Sequence, residues 1–341
     1  MLPEWFLIFG VLFGAAIGSF LNVVIYRLPR GLTIAEPKHS FCPSCKNRLT
    51  VLDLFPLLSW LVLRGRCRHC RAPIGFRYFL VELVNAAIWG VLWWQYLIAG
   101  WDPARFVFFA LFASALLVAL VTDLEHFIIP DEVNAFLLVV GFGYHGFFGD
   151  VTVAVYGALL GWGMLWGIAL LGRMLFGKDA MGHGDIKMAR GIGALLGPQL
   201  IVATFFIAVF AGAVGGIVQV VARRKNGGES EEADGQYAEP ESIPSLVRCG
   251  LGYLLLIDVI ALFAPKANRW FGDEAQQEEI EDDWEPGTTT IPFGPYLAVG
   301  AVASAVFATP ISQLIQDYIR AATAQPIVLE QTLRGVGPTF V

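Results

Sequence analysis

Apolar residues run along this chain in blocks, most of them close to the 20 or so residues that cross a hydrocarbon core, and polar residues gather in the gaps between them. The blocks fall at 5–25, 78–98, 104–122, 127–147, 151–171, 186–197, 198–222 and 293–309. They predict an all-α polytopic membrane protein with about eight transmembrane helices. The 186–197 run is short and carries Lys187 and Arg190, so it is expected to span only in part. The first run has no basic start and no small-residue cleavage site, and is read as a retained helix rather than a signal peptide.

The gaps divide the chain into four regions: 1–98, containing a polar loop at 28–77; 99–225, an apolar core; 226–290, an acidic insertion; and 291–341, a last span with a tail. Lysine and arginine orient them. The 28–77 loop holds Arg30, Lys38, Lys46, Arg48, Arg64, Arg66, Arg68, Arg71 and Arg77, which places it in the cytoplasm and the N-terminus outside. Counting spans then brings 123–131 and 172–185 to the inside as well, and Arg223, Arg224 and Lys225 agree.

Composition sharpens this picture. Of 341 residues, 56% are hydrophobic and only 15% charged, with a mean hydropathy of +0.62. Soluble domains carry about 25% charged residues, so the composition argues against a cytosolic enzyme and against a disordered chain. The net charge of −6 is unevenly spread: 226–290 carries −12, leaving +6 on a body suited to anionic lipid. No basic patch interleaved with aromatics points to nucleic acid.

Within the insertion, 226–245 and 272–290 are too charged to pack and read as disordered loops. The segment 246–263 is apolar but contains Asp258, which would cost about 2.5–3.5 kcal/mol at a bilayer centre. An interfacial helix avoids that cost and keeps the following segment cytoplasmic, so removal of 226–290 is expected to leave catalysis intact.

Two cysteine pairs, Cys42-Pro-Ser-Cys45 and Cys67-Arg-His-Cys70, stand 21 residues apart. Paired CxxC turns at this spacing fit a four-thiolate tetrahedral zinc site. With every position filled by protein, the metal would be structural; Cys249 is left over.

Three further segments place ionisable or conformationally special residues at span ends, where charge is costly. They are Asp123 to Asp131, with Glu125 and the adjoining Glu132; Gly182-His183-Gly184-Asp185 with Lys187; and Pro292-Phe293-Gly294-Pro295. Two spans separate Asp123 from Asp185, so both reach the same, cytoplasmic face. Two adjacent carboxylates can share one proton, one activating a water while the other protonates a carbonyl. Asp185, at a helix N-terminus, is expected to be the ionised member, and Asp123, at a helix C-terminus, the protonated one. Plainer roles exist: a helix cap for Asp185, a tight turn for Gly182 and Gly184, and a solvated loop for the acids near 125–132. A proton- or ion-coupled transporter could use Asp123 and Asp185 as relay carboxylates, and an assembly scaffold could use the cysteine loop for docking.

These motifs and their order resemble the bacterial type IV prepilin peptidase family. The resemblance is carried by Gly18-Ser19-Phe20-Leu21-Asn22 through Pro29, both cysteine pairs, Arg77-Tyr78-Phe79-Leu80-Val81-Glu82, the Asp123 loop, the Gly182–Asp185 motif and 292–295. It implies a GxGD-type membrane aspartic protease with Asp123 and Asp185 catalytic. Glu125, Asp131, Glu132, Gly182, Gly184, Lys187, Pro292, Phe293, Gly294 and Pro295 would support the site or bind substrate. It implies cleavage of the basic leader of prepilins and pseudopilins after a glycine, at the cytoplasmic face of the bacterial inner membrane. N-methylation of the new terminus from S-adenosylmethionine would follow. Cys42, Cys45, Cys67 and Cys70 match the family's zinc loop, within a methyltransferase-like region at 1–98 followed by a peptidase core at 99–225. No residue is assigned to S-adenosylmethionine, and the insertion at 226–290 departs from the family pattern.

Overall fold

A computed structural model describes residues 2–177, 179, 181–225, 241–271 and 292–308, with scattered positions from 311 to 320. Of the stretches expected as disordered loops, 226–240 and 272–290 lie outside the described residues, as does most of the tail, but 241–245 is ordered: Glu241 is hydrogen-bonded and Ser242 caps a helix that begins at Ile243.

Among the described residues the structure is helical, apart from two isolated β-bridges. The helices are α1 (Leu7–Arg27), α2 (Leu58–Val62), α3 (Phe76–Trp93), α4 (Pro103–His126), α5 (Asp131–Phe148), α6 (Val151–Phe176), α7 (His183–Lys225), α8 (Ile243–Leu254), α9 (Ile257–Phe263) and α10 (Gly294–Val306). Each apolar run read from the sequence falls on one of them. Five are long and apolar enough to cross a membrane, and a sixth crossing arises if α8 and α9 act together. The figure of about eight is reached only by also counting α5, α10 and the two parts of α7. The 186–197 and 198–222 runs join in one helix, kinked where Gly197 adopts φ 77 and Pro198 lacks an amide to donate.

Small residues let the first helices approach closely. A Cβ on Gly14 would lie 2.5 Å from Trp89 Cβ and 2.9 Å from Ala86 Cα, so α1 sits directly on the backbone of α3. Asn85, fully buried, fastens the contact: its amide donates to the Gly14 carbonyl at 2.7 Å and its oxygen accepts from Ser114 of α4 at 3.0 Å. Beyond this corner, α7 packs between α5, α6 and α10, around fully buried Leu137, Ile186, Met188, Ile192 and Leu297. The start of α7 is therefore the centre of the molecule.

The insertion departs from expectation. In place of one interfacial helix over 246–263 there are two, α8 and α9, bent by 73° at Leu256. They pack against α6 and α5. Asp258 avoids its desolvation cost by meeting Arg190 of α7 in a two-pronged ion pair, at 3.1 and 2.5 Å, with both side chains buried. Arg190 donates to the Tyr253 carbonyl as well.

Candidate active site and metal centre

The end of α4 and the beginning of α7 build the site. Phe127 takes a left-handed conformation, φ 56, and its amide bonds back to the Asp123 carbonyl at 3.0 Å. This stops α4 within one turn of Asp123. Pro130 then starts α5, leaving Phe127 to Ile129 as a short wall. Opposite, Gly182 and Gly184 lead into α7 with Asp185 in its first turn. Asp123 and Asp185 line the same cleft, of about 50 Å³, with Ile128, Ile129 and both glycines. That is room for water, the reactant a carboxylate pair would activate.

The start of α10 completes the cleft. A Cβ on Gly294 would lie 2.5 Å from Asp123 Oδ2 and 3.0 Å from Ile129 Cδ1, so only glycine fits against the carboxylate. Asp123 is buried, and its Oδ2 has no hydrogen-bond partner among the described residues. A Cβ on Gly184 would come within 3.2 Å of Ile129 Cβ, making this wall tight from both sides. Pro295 is buried beside Gly294, while Pro292 and Phe293 are partly exposed at the rim.

The remaining sequence candidates surround the cleft. Lys187 bonds Asp131 at 2.7 Å and ties α7 to α5. Glu125 pairs with Arg77 at 2.9 Å, bringing the end of α4 to the start of α3. Two of the three acids near the cleft thus have cationic neighbours, and Glu132 is exposed. Asn134, almost fully buried, donates to the Gly184 carbonyl at 3.5 Å.

Sequence reasoning missed a second ring of contacts. The His183 ring lies between Glu241, at 2.8 Å from Nε2, and the Tyr253 hydroxyl, at 2.9 Å from Nδ1. Burial opposes the Glu241 charge, yet hydrogen bonds from His183 and Ser245 hold its carboxyl below its ordinary value. The Glu241 amide bonds the Asp179 carboxylate at 3.0 Å. The Gly182–Asp185 turn is thus gripped by the insertion. The available signal was an acid and a base, Asp258 and Arg190, each stranded in an apolar run.

The cysteine loop forms two matching hairpins. Cys42 and Cys67 amides bond the carbonyls of Asn47 and Ala72, at 3.0 and 2.9 Å, and bridges join Phe41 to Arg48 and Arg66 to Pro73. Lys46 and Arg71, each just after its pair, are left-handed at φ 57 and 59, which folds each turn back on itself. The four sulfurs lie within 4.8 Å of one another, with Cys42 and Cys70 3.9 Å apart. A tetrahedral zinc with sulfur at about 2.3 Å needs edges of about 3.8 Å. The donor set therefore fits zinc. The amides of Cys70 and His69 hold the Cys67 thiol down at about 6, while, against the pull of the Ala72 amide, burial and the neighbouring sulfurs push Cys70 up to about 11, so one thiolate of the four is favoured.

Comparison with known proteins gives the family. Residues 12–96 match the Bacterial Peptidase A24 N-terminal domain, and residues 110–217 match the Type IV leader peptidase family. A prepilin leader peptidase/N-methyltransferase of Aeromonas hydrophila is 38% identical over 62% of this chain and 80% of its own length. One from Myxococcus xanthus is 33% identical over 87% of this chain and 89% of its own. One from Pseudomonas aeruginosa is 32% identical over 66% and 85%. No solved structure gives a significant match.

Proposed function

We propose that this chain, which belongs to the type IV leader peptidase family, is a membrane aspartic endopeptidase that removes the basic leader of type IV prepilins and pseudopilins after a glycine. Cleavage takes place at the cytoplasmic face of the bacterial inner membrane, and the new N-terminus is then methylated. The observation that carries this reading is the shared cleft: Asp123 and Asp185, 62 positions apart in sequence, line one water-sized space closed by Gly294.

Asp185, in the first turn of α7, would hold the negative charge, and Asp123, in the last turn of α4, would carry the proton; their opposite helix ends support this assignment. Asp185 takes a proton from water as the oxygen attacks the scissile carbonyl, and Asp123 gives its proton to the carbonyl oxygen. Collapse of the tetrahedral centre then breaks the C–N bond, and the leaving amine takes up a proton. The pair titrates as a unit. Exposed Glu132 and the acidic flanks at 226–240 and 272–290 would draw in a basic leader.

Cys42, Cys45, Cys67 and Cys70 would hold zinc, which would fix the loop rather than enter the reaction. S-adenosylmethionine would supply an electrophilic methyl group for the new amine. Exposed apolar side chains on the long helices, among them Leu12, Phe13, Phe206 and Phe210, would meet lipid. The ion-relay alternative loses ground because the carboxylates close on one small cleft and the matched relatives carry the peptidase name.

The test is cleavage of a basic-leader prepilin by the purified protein, read by mass spectrometry. Asp123→Asn and Asp185→Asn should each abolish cleavage while the protein still inserts. Near-normal turnover by either variant would remove that residue from the mechanism.

A further inference from the structure

A second cavity, far larger than the aspartate cleft, lies where α1 and α3 meet the cysteine loop. Its volume is about 360 Å³, within the range of small-molecule sites. None of the residues lining the aspartate cleft lines it. Its walls come from three directions: Asn22 and Tyr26 of α1, Tyr78 and Glu82 of α3, and Asp53 and Trp60 of the loop.

Two polar groups here want a ligand. Glu82 is 9% exposed and accepts from the Leu57 amide at 2.7 Å and from Ser19. No cation pairs with it among the described residues, whereas Asp53, on the same wall, has Arg68 at 2.6 Å. A buried carboxylate with donors around it but no counter-ion is costly unless a cation arrives. Asn22 is 4% exposed and uses its Nδ2 on the Tyr78 carbonyl at 3.0 Å, while its Oδ1, also buried, has no partner among the described residues. An orphaned acceptor of this kind costs about 1–3 kcal/mol until a donor meets it. Trp60, Tyr26, Tyr78 and Phe79 add aromatic surface.

We infer that this cavity binds S-adenosylmethionine, with Glu82 facing its cationic part, Asn22 Oδ1 accepting from an amino group, and the aromatic walls flanking the adenine. Aromatic faces attract both a purine and a sulfonium. The inference rests on the methylation half of the function proposed above. It also explains why the cysteine hairpins matter to a membrane enzyme: Cys42 and Cys67 line the cavity, so metal-dependent folding of the loop builds one of its walls. A basic side chain of the leader would satisfy Glu82 too, but would leave most of the volume and the aromatic surface unfilled.

The experiment uses the full-length protein in detergent, from a preparation that cleaves a prepilin leader. S-adenosylmethionine and S-adenosylhomocysteine, which lacks the sulfonium charge, are titrated by calorimetry. Ultraviolet cross-linking with labelled S-adenosylmethionine maps the site by peptide. The label is expected on peptides spanning residues 19–27 or 53–82. Glu82→Gln, with its zinc content checked as a measure of folding, should weaken S-adenosylmethionine about tenfold or more and S-adenosylhomocysteine less. Wild-type protein that cleaves but binds neither nucleoside would overturn the methylation reading, and this site with it. Binding with the label elsewhere, or unchanged affinity in Glu82→Gln, would overturn the site alone. If Glu82→Gln lost leader binding yet kept S-adenosylmethionine, the cavity would belong to the leader and the assignment would be wrong. Should Glu82→Gln lose its zinc, the cross-link map on the wild-type protein decides.

Discussion

Arg190 and Asp258, separated by 68 positions, form a two-pronged ion pair at the core of the protein, each with about 5% or less of its side chain exposed. The pair joins the insertion to the helix that carries Asp185. It is the reason to expect that 226–290 cannot be deleted without consequence.

Asp258→Ala should therefore be severe. Breaking one side of a buried pair typically costs about 3–5 kcal/mol, because the other charge stays buried. We expect a large drop in melting temperature in detergent and loss of leader cleavage, and the same from deletion of 226–290. Replacing both partners, Arg190→Met with Asp258→Leu, should recover most of the stability. A deletion that melts and cleaves like the full chain would show that the pair supports nothing.

Gly294→Ala tests the third wall of the cleft. The added Cβ would lie 2.5 Å from Asp123 Oδ2, so either the carboxylate or α10 must shift. A displacement on the scale of 1 Å can cost about a hundredfold in rate. We expect kcat to fall by that order while leader affinity changes little. Equal losses in kcat and affinity would point to general collapse instead.

Glu241 should give the insertion a pH signature. Its folded carboxyl lies below its ordinary value, so its contribution is fully present above about pH 4.3 and is lost as pH falls through the lowered folded value. Glu241→Gln should destabilise the protein at pH 7, and the gap to wild type should close on acidification. A gap independent of pH would mean that Glu241 acts through shape alone.

Zinc removal should loosen the hairpins first. One zinc per chain is expected; Cys45→Ser should abolish most of it and expose the remaining thiols to alkylation. Methylation should fall further than cleavage, since Asp123 and Asp185 line a different cavity. Metal analysis finding no zinc, with all four thiols reactive, would overturn the assignment.

Much of this was legible in the sequence because it is local. Apolar runs mark helices, CxxC spacing marks the hairpins, and span parity brings Asp123 and Asp185 to one face. What escaped depends on pairings across the fold. Arg190 read as a reason why its helix should not span, and Asp258 as a reason why its segment should stay interfacial. Each is explained by the other, and nothing near either residue announces its partner. The same holds for His183, which reads as filler between two glycines until Glu241 and Tyr253 arrive from the insertion. The Glu82 cavity was hidden for a related reason: α1, α3 and the cysteine loop each supply only part of its lining.

The order in which the cleft receives its parts also matters while the chain is being made. Asp123 and Asp185 emerge from the ribosome first; Glu241 and Tyr253, which hold His183, Asp258, which pairs with Arg190, and finally Gly294, which lies against Asp123, come later. A nascent chain halted before Gly294 holds both aspartates and no closed cleft. Under the proposed mechanism, cleavage would therefore wait until Gly294 has been made, 109 positions after Asp185.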